Sequence, residues 1–315
     1  MSDATRIGVE VVRGALGERA VQVAELAAAA ERVDGVAPLS EQFRIALDGA
    51  GPHVFAGDGA GYAGIVTAPG GGPAAVEAFV DPPARGRGIG RALVVAALDV
   101  AGEGATVWAH GDLPAARAVA AELGLRTVRE LLQLRRPLGG IRPARSAPGA
   151  GSDLPAAPRV PDGVTVRTYA GPSDDAALLA VNNAAFAWHP EQGGWGQEQI
   201  DERTGSDWFD PTGLFLAFAD PVGSAEPTLL GFHWTKVHPA TEEEPALGEV
   251  YIVAVAPEGQ GRGLGRLLTA RGLDYLAARG LAEVELYVEG DNHAALHTYR
   301  RLGFTEYRRD AAYAR

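Results

Sequence analysis

Apolar and polar positions recur along the chain with two periods, and the order in which those periods change is the same in both halves. Residues 76–80, 106–109 and 125–134 read as strands, while 88–101 and 114–123 carry helical spacing. The second half repeats that order with a strand over 249–255, a helix over 263–279, a strand over 284–288, a helix over 292–302 and a strand over 304–313. Upstream, the first half predicts helices over 19–33 and 40–47, then strands over 53–56 and 61–67. The second half opens with a strand over 164–169 and a helix from Ser173, where Ser173 and Asp174 can cap, followed by strands over 213–218 and 229–237. Two copies of one strand–helix succession predict an α/β fold of the α+β kind, with one mixed sheet per domain.

Between the copies, residues 137–163 alternate prolines with glycines, a composition that holds neither a helix nor an inner strand. Two domains, 1–137 and 163–315, joined by a linker over 138–162, are therefore expected. The length of 315 residues suits two ordinary domains. Cysteine is absent, which excludes disulfides, thiolate metal sites and a cysteine nucleophile. A net charge of -12 argues against a nucleic-acid partner. No stretch approaches the ~20 apolar residues of a membrane span, and the first residues lack the apolar core of a signal peptide. A cytoplasmic monomer without a membrane partner is expected. Lysine occurs only at Lys236; every other cationic side chain of the Lys/Arg type is arginine.

The candidate chemistry begins at two strand-to-helix turns that superimpose. Arg85-Gly86-Arg87-Gly88-Ile89-Gly90 matches Gln260-Gly261-Arg262-Gly263-Leu264-Gly265, each a few residues beyond a strand and each opening a helix. Glycines allow close backbone approach, and the free amides and dipole of a helix start attract phosphate. Arginines 85, 87, 91, 262 and 266 add positive charge locally. A dinucleotide fold fits poorly, because its first glycine stands where these loops carry Arg85 and Gln260. A tight connection without a ligand is the bland reading of one such turn; its recurrence with matching flanks weighs against it.

The loops, together with Asn292-His293-Ala294-Ala295-Leu296-His297-Thr298-Tyr299-Arg300-Arg301-Leu302-Gly303-Phe304, resemble the GCN5-related N-acetyltransferase (GNAT) superfamily. The resemblance implies two tandem GNAT-type domains and acetyl-CoA as cosubstrate, with no metal. It narrows further to a tandem subgroup through residues 33–38, 181–186, 189–195 and 231–239. That subgroup acetylates the cysteinyl amine of a glucosaminyl-inositol. By the same resemblance, Phe79, Val80, Arg85, Gly86, Arg87, Gly88, Ile89 and Gly90 would hold acetyl-CoA in the first domain. In the second, Val253, Ala254 and Val255, the loop Gln260, Gly261, Arg262, Gly263, Leu264, Gly265 and Arg266, and the helix start Asn292, His293, Ala294, Ala295, Leu296 and His297 would do so. Glu191, Lys236, Glu249 and Tyr287 would contact the acceptor, with Glu41 reaching across from the first domain.

Glu249 is the candidate base, and simple alternation places Glu249, Tyr251 and Val253 on one face of their strand. Tyr299 is the candidate acid, because a phenol of pKa about 10 can protonate a leaving thiolate. Loop alignment sets Ala74 opposite Glu249, and the Leu-Gly pair that ends each helix sets Ala120 opposite Tyr299 and Leu113 opposite Asn292. The first domain is therefore expected to be non-catalytic while still able to bind acetyl-CoA. Histidines 189, 233 and 238 form no metal motif. Two other functions stay open on the residues alone: acetylation of another amine, such as an aminoglycoside or a protein N-terminus, and a non-catalytic acetyl-CoA-binding module.

Overall fold

The computed structural model describes residues 7–49, 51–67, 72–139, 158–187, 192–221, 226–241 and 245–315. It divides into two compact units. Most of the predicted linker, residues 140–157, lies outside the described residues.

In unit one, β1 (Val9–Arg13), β2 (Pro52–Ala56), β3 (Gly61–Thr67) and β4 (Ala74–Val80) run antiparallel in order, and β5 (Thr106–Ala109) joins β4 in parallel. Side-chain alternation along these strands feeds two cores. Helices α1 (Glu18–Asp34) and α2 (Glu41–Ala46) bury Val23, Ala30 and Phe43 against Phe55, Tyr62 and Phe79 on one face. Helix α3 (Ile89–Ala101) buries Ile89, Leu93 and Ala97 against Val54, Ile65 and Val76 on the other, where α4 (Pro114–Glu122) adds Val119. β6 (Arg126–Pro137) follows.

Unit two repeats the plan. β7 (Val164–Thr168), β8 (Leu214–Ala219), β9 (Thr228–His238) and β10 (Leu247–Val255) are antiparallel, and β11 (Glu283–Glu289) is parallel to β10. Helices α5 (Asp175–Ala185) and α6 (Gln197–Thr204) pack Leu178, Val181 and Ile200 on Phe232, Trp234 and Ile252. Helix α7 (Leu264–Ala278) packs Leu264, Leu267 and Leu268 on the opposite face, and α8 (His293–Arg301) lies against α7. Along the chain, strands and helices follow the predicted order. Two elements went unpredicted for readable reasons: β1 exposes nearly all its side chains, and α6 buries only Ile200 of eight residues, so neither shows an apolar period.

The last strand of each copy is divided between the units. Of β6, residues up to Leu132 belong to unit one and those from Gln133 to unit two. In β12 (Thr305–Ala314), the residues through Tyr307 belong to unit two and Arg308–Arg315 to unit one. There Ala311, Ala312 and Tyr313 pair with Ala109, Trp108 and Val107 of β5. In unit two, Leu138 N–H donates to Ala282 O at 2.8 Å, and Leu134 and Leu138 are buried.

Candidate functional site

The duplicated loops adopt one backbone. Gly86 and Gly88 have φ of +75° and +84°, and Gly261 and Gly263 have +74° and +77°, so each pair enters its helix through the left-handed region that glycine tolerates. The first-turn amides of α3 and α7 are thereby left open to a ligand. In unit two, Arg266 Nε is buried without a hydrogen-bond partner, and no ion pair engages Arg262 or Arg266 among the described residues. An orphaned guanidinium nitrogen beside a glycine turn fits an anionic ligand such as a pyrophosphate.

In unit one the loop opens on a cavity of about 440 Å3. Phe79, Val80, Arg85, Gly86, Gly88, Ile89 and Gly90, all expected to hold cosubstrate, line it, along with Trp108 and His110. Arg87 is outside that lining and donates to Pro83 O at 3.3 Å. Arg85 is already engaged: its two terminal nitrogens reach Asp34 at 2.7 and 2.8 Å, and Nε donates to Val80 O at 3.0 Å. It clamps the end of α1 to the loop and has little left for a phosphate.

His110, at the cavity wall, stands 2.9 Å from Glu77 and 3.2 Å from Asp310 of the terminal strand. Burial opposes its charge, but the two carboxylates outweigh it and push the imidazolium up to about 9. The folded value is above the unfolded one of about 6.5, so this contribution is complete below pH 6.5 and lost as pH rises through 9. Thermal unfolding should show wild type exceeding His110→Gln by up to about 3 kcal/mol at pH 6, with the gap closing by pH 10. A gap that widens toward high pH would remove the charged-histidine assignment.

The candidate acceptor side lies on unit two. β10 pairs with β9 as Glu249↔Lys236 and Val250↔Thr235, then as Ile252↔Trp234 and Val253↔His233, so Tyr251 is an extra residue, a β-bulge. This corrects simple alternation. Glu249 shares its face with Ile252 and Ala254, whereas Val253 turns with His233 to the α7 side. Tyr251 stays with Glu249, its ring 5.2 Å from Trp208 and 6.1 Å from Trp234. The bulge also moves the unit-one counterpart of Glu249 from Ala74 to Ala75, which pairs with Val66 as Glu249 pairs with Lys236. Neither alanine can act as a base.

Across the other edge, β10 pairs with β11 only at Gly248↔Val284 and Glu249↔Glu285. Beyond Glu249 the two strands part, leaving Val253, Ala254 and Val255 bonded to β9 alone. Glu249 is 8% exposed, and its Oε2 lies 2.7 Å from Nε2 of His238. The Lys236 ammonium sits 5.0 Å from the Trp208 ring centre and 5.5 Å from that of Tyr251, with no ion pair among the described residues. Tyr287 is 50% exposed on β11, and its hydroxyl accepts a bond from Gln133 Nε2 at 3.1 Å.

Asn292 caps α8, its Oδ1 accepting from Ala295 N–H at 3.1 Å; of the following residues Leu296 is buried, while His293, Ala294 and His297 are exposed. Tyr299 lies edge-on to Phe304 at 5.8 Å, and burial pushes its phenol up to about 12. No hydrogen bond or ring contact ties Tyr299 to the Glu249 row among the described residues. Glu41 is exposed at the first residue of α2 in unit one, and Glu191 lies outside the described residues. His233 is buried, neutral with a pKa lowered to about 4 by desolvation, and bonded to Leu268 O at 2.9 Å. It is a core residue: a side chain at Gly272 would collide with it.

Sequence reasoning missed Trp208, His238, Glu285, Gln133 and Arg135. Glu285 had a signal, standing two residues before Tyr287 on the same strand face. Gln133 and Arg135 had none, because their partner Glu285 is some 150 residues distant.

Comparison with known proteins adds a family. The model of the Acetyltransferase (GNAT) family matches residues 22–125 and again 182–304. The chain is 66% identical to a protein named mycothiol acetyltransferase from Tsukamurella paurometabola, over 97% of this chain and 99% of that one. It is 53% identical to a protein of the same name from Rhodococcus jostii, over 95% of each. Among solved structures, a GCN5-related N-acetyltransferase from Sphaerobacter thermophilus aligns with TM-score 0.63 at 24% identity, covering 99% of this chain and 96% of the other. A tandem GNAT protein of the clavulanic acid pathway aligns with TM-score 0.62 at 23% identity, covering 97% and 98%.

Proposed function

The chain belongs to the acetyltransferase (GNAT) family and, within it, to the mycothiol acetyltransferases, and on that premise we propose that it acetylates the cysteinyl amine of desacetylmycothiol (Cys-GlcN-inositol). Acetyl-CoA is the donor, mycothiol and CoA are the products, and the step is the last of mycothiol synthesis. The observation that supports this reading is the row Lys236–Glu249–Glu285 across three strands, set where β10 and β11 part.

In that geometry the loop Gln260–Arg266 and the start of α8 hold the donor, whose thioester supplies the acetyl group. Glu249 takes the proton of the attacking amine, with His238 orienting its carboxylate. The backbone of β10 beyond the bulge, unpaired toward β11, offers hydrogen bonds to the carbonyl oxygen. Tyr299, protonated at every working pH, donates to the departing sulfur. Lys236 and Tyr287 meet the hydroxyls of the sugar and inositol. Unit one keeps the donor cavity but has Val66 and Ala75 where Lys236 and Glu249 stand. It binds acetyl-CoA without turning it over. The two units divide the work accordingly, and the protein acts in the cytoplasm as a monomer. No helix among the described residues is long and apolar enough to cross a membrane.

The test is a panel of amines with CoA release as the readout. Desacetylmycothiol should exceed an aminoglycoside and an N-terminal peptide by about a hundredfold or more in kcat/KM. Calorimetry should find two acetyl-CoA sites per chain. A preferred aminoglycoside would replace the acceptor, and a single binding site would remove the role of unit one.

A further inference from the structure

Glu285 has no role in the scheme above, yet it is the better buried of the two carboxylates in the row, at 5% exposure against 8% for Glu249. The two are register partners on adjacent parallel strands, so their side chains share a face and their backbones stand about 4.8 Å apart. Two like charges so placed repel each other, and the structure holds the second in place deliberately. Arg135 reaches Glu285 Oε2 through Nε at 3.0 Å and a terminal nitrogen at 2.8 Å, and Gln133 Nε2 donates to the same oxygen at 2.7 Å.

All three contacts converge on one oxygen. Oε1 of Glu285 has no hydrogen-bond partner among the described residues, and neither has Oε1 of Glu249, whose Oε2 is taken by His238. Two fixed carboxylates therefore each keep one open acceptor at the point where β10 and β11 separate. Lys236, the adjacent cation, rests over aromatic rings and forms an ion pair with neither. In unit one the corresponding pair is Ala75 and Thr106, so the arrangement is confined to the unit that carries the base.

We infer that Glu285 is the second half of an ammonium-binding pair, with Glu249, that receives the acceptor amine in its protonated form. An α-amine of pKa about 8 arrives largely as ammonium at neutral pH. Its N–H groups can bridge Oε1 of both carboxylates, charge-assisted bonds that fix the nitrogen before Glu249 removes a proton. Glu285 keeps its contact with the remaining N–H, while Arg135 and Gln133 hold its other oxygen in place. Glu285 is thus a substrate-positioning residue, and the amine is recognised by charge as well as by shape.

This rests on the proposed acceptor, and the test separates the two. Binding to the full-length protein is measured for desacetylmycothiol and for its desamino analogue, in which 3-mercaptopropionyl replaces cysteinyl. Wild type should prefer the amine by about 10- to 100-fold. Glu285→Gln, whose amide oxygen can still accept from Arg135 and Gln133, should reduce that preference to about threefold or less, leaving KM for acetyl-CoA unchanged. Equal loss for both ligands, or an unchanged preference, would overturn the assignment. So would a wild type with no preference for the amine, a measurement independent of whether the variant folds. A wild type that fails to acetylate desacetylmycothiol at all would instead overturn the proposed function.

Discussion

Glu249→Gln should lower kcat by about 10²- to 10⁴-fold while leaving acetyl-CoA affinity within a factor of about two, the loss expected when a positioned base is removed. The substitution preserves shape and can still accept from His238, so a fall in rate reports the missing proton acceptor. Tyr299→Phe should cost less. Burial holds the Tyr299 phenol at about 12, well above a thiolate near 8.5, so early proton transfer to sulfur is uphill and the hydroxyl contributes mainly by hydrogen bonding as the sulfur leaves. A loss of about tenfold to a hundredfold is expected. Steady-state kinetics on both variants, with calorimetric binding of acetyl-CoA, checks the pair. Full turnover in Glu249→Gln would remove the base assignment.

The second large effect concerns where the catalytic half begins. A protein starting at residue 163, at the end of the predicted linker, should be insoluble or unfolded and inactive, whereas one starting at residue 126 should retain unit two. The shorter protein lacks Gln133 and Arg135 and so leaves Glu285 buried without a partner, a loss of about 3–5 kcal/mol. It also lacks buried Leu134 and Leu138, worth about 1.5–3 kcal/mol each. The total, about 6–11 kcal/mol, rivals the whole stability of an ordinary domain. Circular dichroism and acetyltransferase assays on the two truncations decide it. A folded, active protein from residue 163 would show that the end of β6 is dispensable.

The repeat, the glycine turns and the charged positions were legible in the sequence because each is local. A turn needing positive φ writes itself in glycine, as at Gly261 and Gly263. The face of Val253 was not legible, because a bulge shows only in the register against a partner strand, here the step from Val250↔Thr235 to Ile252↔Trp234. Nor could spacing reveal that Arg85 is spent on Asp34, 51 residues away, or that His238 touches Glu249. Those pairings arise from the fold, and composition offers no trace of them.

The division of β12 fixes the timing of assembly during synthesis. Unit one needs Asp310 for His110 and Gly111, and Ala311 to Tyr313 for the open edge of β5. These residues come long after the rest of unit one. At about 5–20 residues per second, the 181 residues from Gln133 to Tyr313 take roughly 10–40 s to make. For that interval the first-made half waits with an unpaired strand edge, a natural point for a chaperone to act. A chain cut short just after Tyr307 would leave unit one unfinished however complete unit two is.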